Sequence, residues 1–313
     1  MSSGTALDPT VDLAARAREA EERLAPLRSE YPFTPRFHAV EGALQHYVDE
    51  GPQGGRTLLF LHGNPTWSFA FRHLIRDLSR DHRCVAPDHV GCGLSDKPAD
   101  YPYRLARHVE NVEALVVGLD LDRITLVLHD WGGAIGMGFA RRHPERIERI
   151  VAMNTAAFPS ERIPFRIAVC RVPVFGRLAV HGLNAFARAA TWMAVEKPLS
   201  PLAKRGYLLP YDTWDHRVAT LAFVEDIPMS PDHPSWDELV AIERALPRFA
   251  NRPTGLFWGL RDWCFTPEFR DGWLERLPEA RRHDYPQAGH YLFEDASEEL
   301  TRDVRGFLED TLR

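Results

Sequence analysis

Between positions 37 and 155 the chain alternates short apolar runs with longer stretches whose apolar residues recur every three or four positions. The runs at 45–48, 57–61 and 84–86 are bounded by Gly, Pro or Asp, Ile124, Thr125, Leu126, Val127 and Leu128 show no polar alternation, and a run at 150–153 ends at Asn154-Thr155. Such runs predict buried strands. The stretches at 68–79, at 104–119 and from Trp131 onward predict helices. The rhythm resumes with a strand at 254–259, a helix at 267–276, a strand at 281–285 and an amphipathic helix from Ser297. Continuous apolar strands alternating with helices imply a mostly parallel central sheet covered on both faces, an α/β architecture.

The alternation stops from 156 to 235, where Pro159, Pro164, Pro173, Pro198, Pro201, Pro210 and Pro228 break short helical runs. A structureless loop of that length is uncommon in a compact domain. An inserted, mainly helical cap accounts for it. The expected organisation is an N-terminal extension at 1–36, a core at 37–155 and 236–313, and a cap at 156–235. Within the extension, 8–27 predicts an amphipathic helix with Asp8 as cap, Pro9 in the first turn, and Leu13, Ala17, Ala20, Leu24 and Leu27 on one face. Pro26 disturbs its last turn. Such a helix can lie against its own domain or dock on a partner.

Composition narrows the class. With 44% hydrophobic and 26% charged residues in 313, the chain is globular, and its net charge of −6 disfavours nucleic-acid partners. The 4 cysteines are scattered without a C-x-x-C pair, and the first residues carry no signal segment. Reduced thiols and a cytoplasmic location are expected. No run approaches the roughly 18 apolar residues that cross a bilayer. The 24 prolines, 17 phenylalanines and 8 tryptophans stand out, and Phe158, Phe165, Phe175, Phe186, Trp192, Trp214 and Phe223 all fall in the cap. A greasy cap suits a hydrophobic small-molecule substrate.

The chemistry centres on Leu128-His129-Asp130-Trp131-Gly132-Gly133, a strand running into a helix through a tight turn. In a hydrolase elbow this turn lifts one side chain above the sheet; here it belongs to Asp130, and no G-x-S-x-G occurs. A carboxylate nucleophile forms alkyl esters with carbon–halogen bonds, epoxides or strained lactones. Taken alone, Asp130 fits helix capping equally well. Two distant features favour catalysis. Asp262 closes the apolar run at 256–258 and His290 follows the strand at 281–285, giving the chain order nucleophile, acid, base. His290 then acts as base and Asp262 orients its ring.

The turn Leu61-His62-Gly63-Asn64-Pro65 can bring Asn64 beside the nucleophile as a donor, and Trp131 adds an indole N–H; Asn64-Pro65 also fits plain turn chemistry. Arg217 is either a cap-side cation for a carboxylate or half of a surface ion pair with Asp212. Tyr207 and Tyr211 are candidate acids for an opening epoxide or core residues. The glycines at 133–138 lack G-x-G-x-x-G, and the 14 histidines form no H-E-x-x-H, so neither a metal nor a cofactor is expected.

From Phe33 to the C-terminus the chain resembles the α/β-hydrolase superfamily. His-Gly-Asn-Pro-Thr-Trp at 62–67 and His-Asp-Trp-Gly-Gly at 129–133 are similar to motifs of the haloalkane dehalogenase group. The resemblance implies the α/β-hydrolase fold, Asp130 as nucleophile, His290 as base, Asp262 as acid, and Asn64 with Trp131 as paired donors. The runs at 87–98, 183–188, 206–212 and 223–228 look like those of OleB-type β-lactone decarboxylases of bacterial long-chain olefin biosynthesis. That likeness implies a β-lactone with long alkyl arms as substrate, a cis-olefin and carbon dioxide as products, and assembly with a thiolase, a β-lactone synthetase and a reductase. Haloalkane dehalogenase and epoxide hydrolase remain alternative activities. A non-catalytic ligand receptor on the same fold is the rival of another class.

Overall fold

The computed structural model describes residues 12–160, 182 and 184–311. Eight strands form one sheet: β1 (Arg36–Val40), β2 (Ala43–Glu50), β3 (Thr57–Leu61), β4 (Arg83–Pro87), β5 (Ile124–Asp130), β6 (Ile147–Thr155), β7 (Thr254–Gly259) and β8 (Arg281–Tyr285). Their order is β1-β2-β4-β3-β5-β6-β7-β8. β1 and β2 are antiparallel to their neighbours, and every pairing from β4 through β8 is parallel. β3, β5 and β7 are buried at every position, which is why their sequences carry no polar alternation.

The helices before the cap are α1 (Leu13–Leu24), α2 (Arg72–Leu78), α3 (Leu105–Gly118) and α4 (Trp131–Arg142). Between β6 and β7 come α5 (Ala185–Met193), α6 (Pro201–Leu208), α7 (Val218–Glu225) and α8 (Trp236–Ala245). The chain then continues through α9 (Pro267–Arg276), α10 (Leu292–Asp295) and α11 (Ser297–Asp310). Alternate residues of a strand face opposite sides of the sheet. Leu126 and Leu128 accordingly join a core with Ile135, Phe139 and Trp273, while Val127 joins a second core with Leu24, Phe71 and Phe307.

Three elements differ from expectation. The first helix begins at Leu13, and Asp12 caps it, accepting from the N–H groups of Ala14 and Ala15 at 2.9 and 3.0 Å; Asp8 lies outside the described residues. Pro26 falls in a 3-10 turn, Ala25–Leu27, where its missing N–H costs no helical bond. The stretch at 68–79 opens with another 3-10 turn, Ser68–Phe71, because the Ser68 N–H donates to Asp88 at 2.8 Å. β1, unforeseen, is an edge strand whose mixed exposure blurs its period.

Helix α1 docks on its own domain. Ala20, Leu24 and Leu27 are buried, Arg16 reaches Asp96 at 2.7 Å, and Arg23 donates to the Leu209 carbonyl and to Asp212 at 3.0 and 2.9 Å. The segment between β6 and β7 is tied to the rest at several points. Trp67 Nε1 donates to the Gly206 carbonyl at 3.1 Å, and Asp226 accepts from Arg104 at 2.9 Å and from the Leu105 N–H at 2.8 Å.

Candidate active site

β5 ends on Asp130, whose φ of 52° lies in a region that residues with a side chain seldom adopt. Such strain persists only where packing imposes it. Here Gly132 starts α4 so close to β3 that a Cβ would strike the Leu61 carbonyl. A Cβ on Gly63 would strike the Asp130 carboxylate itself, so the 62–68 turn can reach the nucleophile only with glycine there. The hydroxyl of Thr155, at the end of β6, donates to the Asp130 carbonyl. The carboxylate is 7% exposed, and its Oδ1 accepts the Asn64 backbone N–H at 2.8 Å. The Trp131 backbone N–H, at the start of α4, also favours its ionised form. Burial pushes the carboxyl above its ordinary range, and the His290 charge with these two N–H groups draws it partway back.

Asp262 lies in the turn after β7, and His290 in the loop after β8. Asp262 Oδ1 accepts the Cys264 N–H at 2.6 Å, and its Oδ2 lies 2.8 Å from His290 Nδ1. A carboxylate accepts only, so the proton sits on Nδ1 and Nε2 faces Asp130 Oδ2 at 3.9 Å. Burial lowers the imidazole pKa, but Asp262, by charge and hydrogen bond, and Asp130 outweigh it, so His290 lies above its usual value. Phe265 stacks on the His290 ring, centroids 5.8 Å apart.

The Asn64 side chain points to the cap. Its Nδ2 donates to the Thr220 carbonyl of α7 at 3.0 Å, and its buried Oδ1 has no partner among the described residues. The Trp131 ring meets Phe223 of the same helix edge-on, centroids 5.3 Å apart. Asp130, Asp262, His290, Asn64 and Trp131 therefore come together from four separate loops.

Arg217, Tyr211 and Tyr207 are engaged elsewhere. Arg217 donates to the carbonyls of Tyr211, Gly182 and Asp212 at 2.9, 2.8 and 2.9 Å. Tyr211 is fully buried with its hydroxyl 3.3 Å from the Thr66 carbonyl. Tyr207 donates to Glu294, which also pairs with Arg72. The sequence reading missed Gly63, Thr155 and the buried His46–Asp88 pair, joined at 2.8 Å. Asp88, held down to about 2 against burial by His46, His62 and the Leu94 N–H, anchors the 3-10 turn after the Asn64 loop. Its only sequence signal was a carboxylate directly after β4. Among the described residues no group of His, Cys, Asp and Glu is arranged to hold a metal ion.

The alpha/beta hydrolase fold family matches residues 56–297. The cis-3-alkyl-4-alkyloxetan-2-one decarboxylase of Shewanella oneidensis is 41% identical over 287 residues, 90% of each chain. The protein of the same name from Xanthomonas campestris pv. campestris is 41% identical over 291 residues, 89% of this chain and 97% of its own. Among solved structures, haloalkane dehalogenase DbeA from Bradyrhizobium elkani superposes with a TM-score of 0.80 at 26% identity, covering 89% of this chain and 98% of its own. Fold, elbow and matched span together make the chain a member of the alpha/beta hydrolase fold family.

Proposed function

We propose that this chain is a β-lactone decarboxylase that converts a cis-β-lactone with long alkyl chains to a cis-olefin and carbon dioxide, with Asp130 as nucleophile, His290 and Asp262 as its charge partners, and Asn64 and Trp131 as donors to the substrate. One observation carries the choice among electrophiles. Identity to two oxetanone decarboxylases is 41% over 90% and 89% of the chain, against 32% over 88% of the chain to a haloalkane dehalogenase from Mycobacterium marinum.

The site geometry fits the chemistry. Asn64 N–H pins Oδ1 of Asp130, which leaves Oδ2 as the attacking atom. Oδ2 attacks the ring carbon bearing oxygen, the C–O bond breaks with inversion, and an alkyl ester of Asp130 forms beside a free carboxylate. The second N–H of the Asn64 side-chain amide, whose other donates to Thr220, and the Trp131 indole are the donors for that carboxylate. Loss of carbon dioxide forms the C=C bond as the ester C–O bond breaks on the opposite face and Asp130 departs. Inversion followed by anti elimination preserves the cis relation of the two alkyl arms. Attack at the ring carbonyl, giving an anhydride, is the alternative route to the same products.

No water is consumed in either route. Turnover of a cis-β-lactone in ¹⁸O-labelled water should therefore release olefin and carbon dioxide in equal amounts and leave the peptide containing Asp130 unlabelled. Stoichiometric label in Asp130 would overturn the decarboxylase reading in favour of hydrolysis. The second reading, haloalkane dehalogenase, draws on the shared architecture, in which His290 activates water against an alkyl-enzyme ester. Epoxide hydrolysis has less support, since both cap tyrosine hydroxyls are engaged with Thr66 and Glu294.

The same reading places the protein in the cytoplasm alongside a thiolase, a β-lactone synthetase and a reductase that build its substrate. Free Cys84, Cys92 and Cys264 suit a reducing compartment. No helix among the described residues is long and apolar enough to cross a membrane.

A further inference from the structure

We propose that Asp295 is a positioning residue that locks the His290 loop to the segment joining α5 and α6, so that the seating of the cap sets the reach of His290 toward Asp130. Asp295 closes α10 and is 4% exposed. Its Oδ2 accepts the Gly289 N–H at 2.8 Å, directly before His290. Its Oδ1 accepts the N–H groups of Glu196 and Lys197, both at 2.9 Å. Lys197 Nζ donates to the Asp295 carbonyl at 2.7 Å. One buried carboxylate thus holds two chain segments about a hundred residues apart. A buried carboxylate without partners is costly, so these N–H donors and this acceptor need one another.

Other bonds run between the same segments. On the far side of His290, the Tyr291 N–H donates to the Ala194 carbonyl at 2.7 Å. His129 Nε2 lies 3.0 Å from the His290 carbonyl, which only accepts, so the ring donates. The acid loop is held to the same end of α5, because Trp263 Nε1, next to Asp262, donates to the Met193 carbonyl at 2.8 Å. Residues 193–197 therefore grip both the acid loop and the base loop. The 3.9 Å between His290 Nε2 and Asp130 Oδ2 is set by a loop whose two flanks are tied to the cap or through it. A carboxyl oxygen offers a lone pair where an amide nitrogen would offer a hydrogen, so Asp295→Asn must abandon one side of the clamp.

The proposal rests on the role given above to His290 beside Asp130, and its test is arranged to separate the two. The variants are Asp295→Asn, Lys197→Met, which removes only the exposed ammonium bond, and Asp226→Asn, a control carboxylate equally buried in the cap but bonded to Arg104 and Leu105. Kinetics are run on a soluble short-chain cis-β-lactone, or on a haloalkane if the wild type turns over only that. Failure of the decarboxylase reading then leaves the clamp measurable. Expected for Asp295→Asn is a kcat loss of about 10²-fold with KM nearly unchanged, since a small misplacement of a reacting group has that effect. Amide hydrogen exchange should quicken together in peptides covering 194–197 and 289–291, and Lys197→Met should show a weaker form of both changes. Loosening of one segment without the other, or a kcat change no larger than that of Asp226→Asn, overturns the proposal. If Asp295→Asn does not fold, Lys197→Met decides: unchanged kcat and unchanged exchange in both segments overturn it.

Discussion

His290 Nε2 stands 3.9 Å from Asp130 Oδ2, close enough to feel its charge and too far to hydrogen-bond, while Nδ1 is held at 2.8 Å by Asp262. The gap leaves Oδ2 of Asp130 free on one side, and the Asn64 backbone N–H holds Oδ1 from the other. Each half of the arrangement has a measurable consequence.

With Asp130 as the proposed nucleophile, Asp130→Asn should lower kcat by about 10⁴-fold or more. The same change should stabilise the fold. Burial raises the folded-state pKa of Asp130 above its unfolded value, so its ionised form disfavours folding at neutral pH, and that penalty is relieved only as pH falls through the raised pKa. An uncharged Asn still accepts the Asn64 N–H. A gain of about 1 kcal/mol, seen as a rise in Tm of about 2 °C, is expected in calorimetry at pH 7, and the gain should shrink as pH is lowered.

The pH profile of kcat/KM should show an acid limb set by the same group. In the proposed mechanism ionised Asp130 attacks, so kcat/KM falls as pH drops through a value above the ordinary aspartate range of about 3.9. A limb at or below that range in wild type would mean that a different group limits the rate.

His290→Gln separates the two chemistries. If water must cleave an alkyl-enzyme ester, the variant stalls after one turnover and mass spectrometry finds the covalent adduct on Asp130. In decarboxylation the ester collapses without water, so turnover continues with a loss of about 10²-fold and no adduct accumulates.

Gly63→Ala tests how tightly the Asn64 loop presses on the nucleophile. Its added Cβ would collide with the Asp130 carboxylate, so kcat should fall by about 10²-fold even where circular dichroism shows a folded protein. Gly54→Ala, with open space around the site of its Cβ but φ at +77°, should affect stability slightly and kcat not at all.

Leu24→Ala should destabilise the protein by about 2–5 kcal/mol, since Leu24 is fully buried in the core that also holds Phe71 and Phe307. Removing residues 12–27 should accordingly abolish a cooperative thermal transition rather than merely loosen a partner contact. Activity of the truncated protein equal to wild type on a soluble lactone would refute this.

Strand and helix positions in the core were legible because burial on both faces leaves unbroken apolar runs, as in β3, β5 and β7. The edge strand β1 escaped because half-exposed positions carry no such pattern. Asp130, Asp262 and His290 could be found because each sits just past a strand end, where local sequence marks the turn. That the first helix lies against its own domain was among the readings the sequence offered, but where it docks and what Arg217 engages were not legible, for their partners lie across the fold: Arg23 reaches residues 209 and 212, and Arg217 reaches the Gly182 carbonyl. Asn64 shows the divide within one residue. Its motif announced a donor near the nucleophile, yet only the packed structure decides that the backbone N–H holds Asp130 and the side chain reaches Thr220 on α7.

The sequence by itself marked the buried strands and the elbow that carries Asp130, since hydrophobic period and turn chemistry act over a few residues. Tertiary structure alone decided the spacing of His290 from Asp130 and the tie from the base loop through Asp295 to residues 196 and 197. Those distances come from segments far apart in the chain, and their register is fixed only when the core has packed and each buried polar group has found its partner.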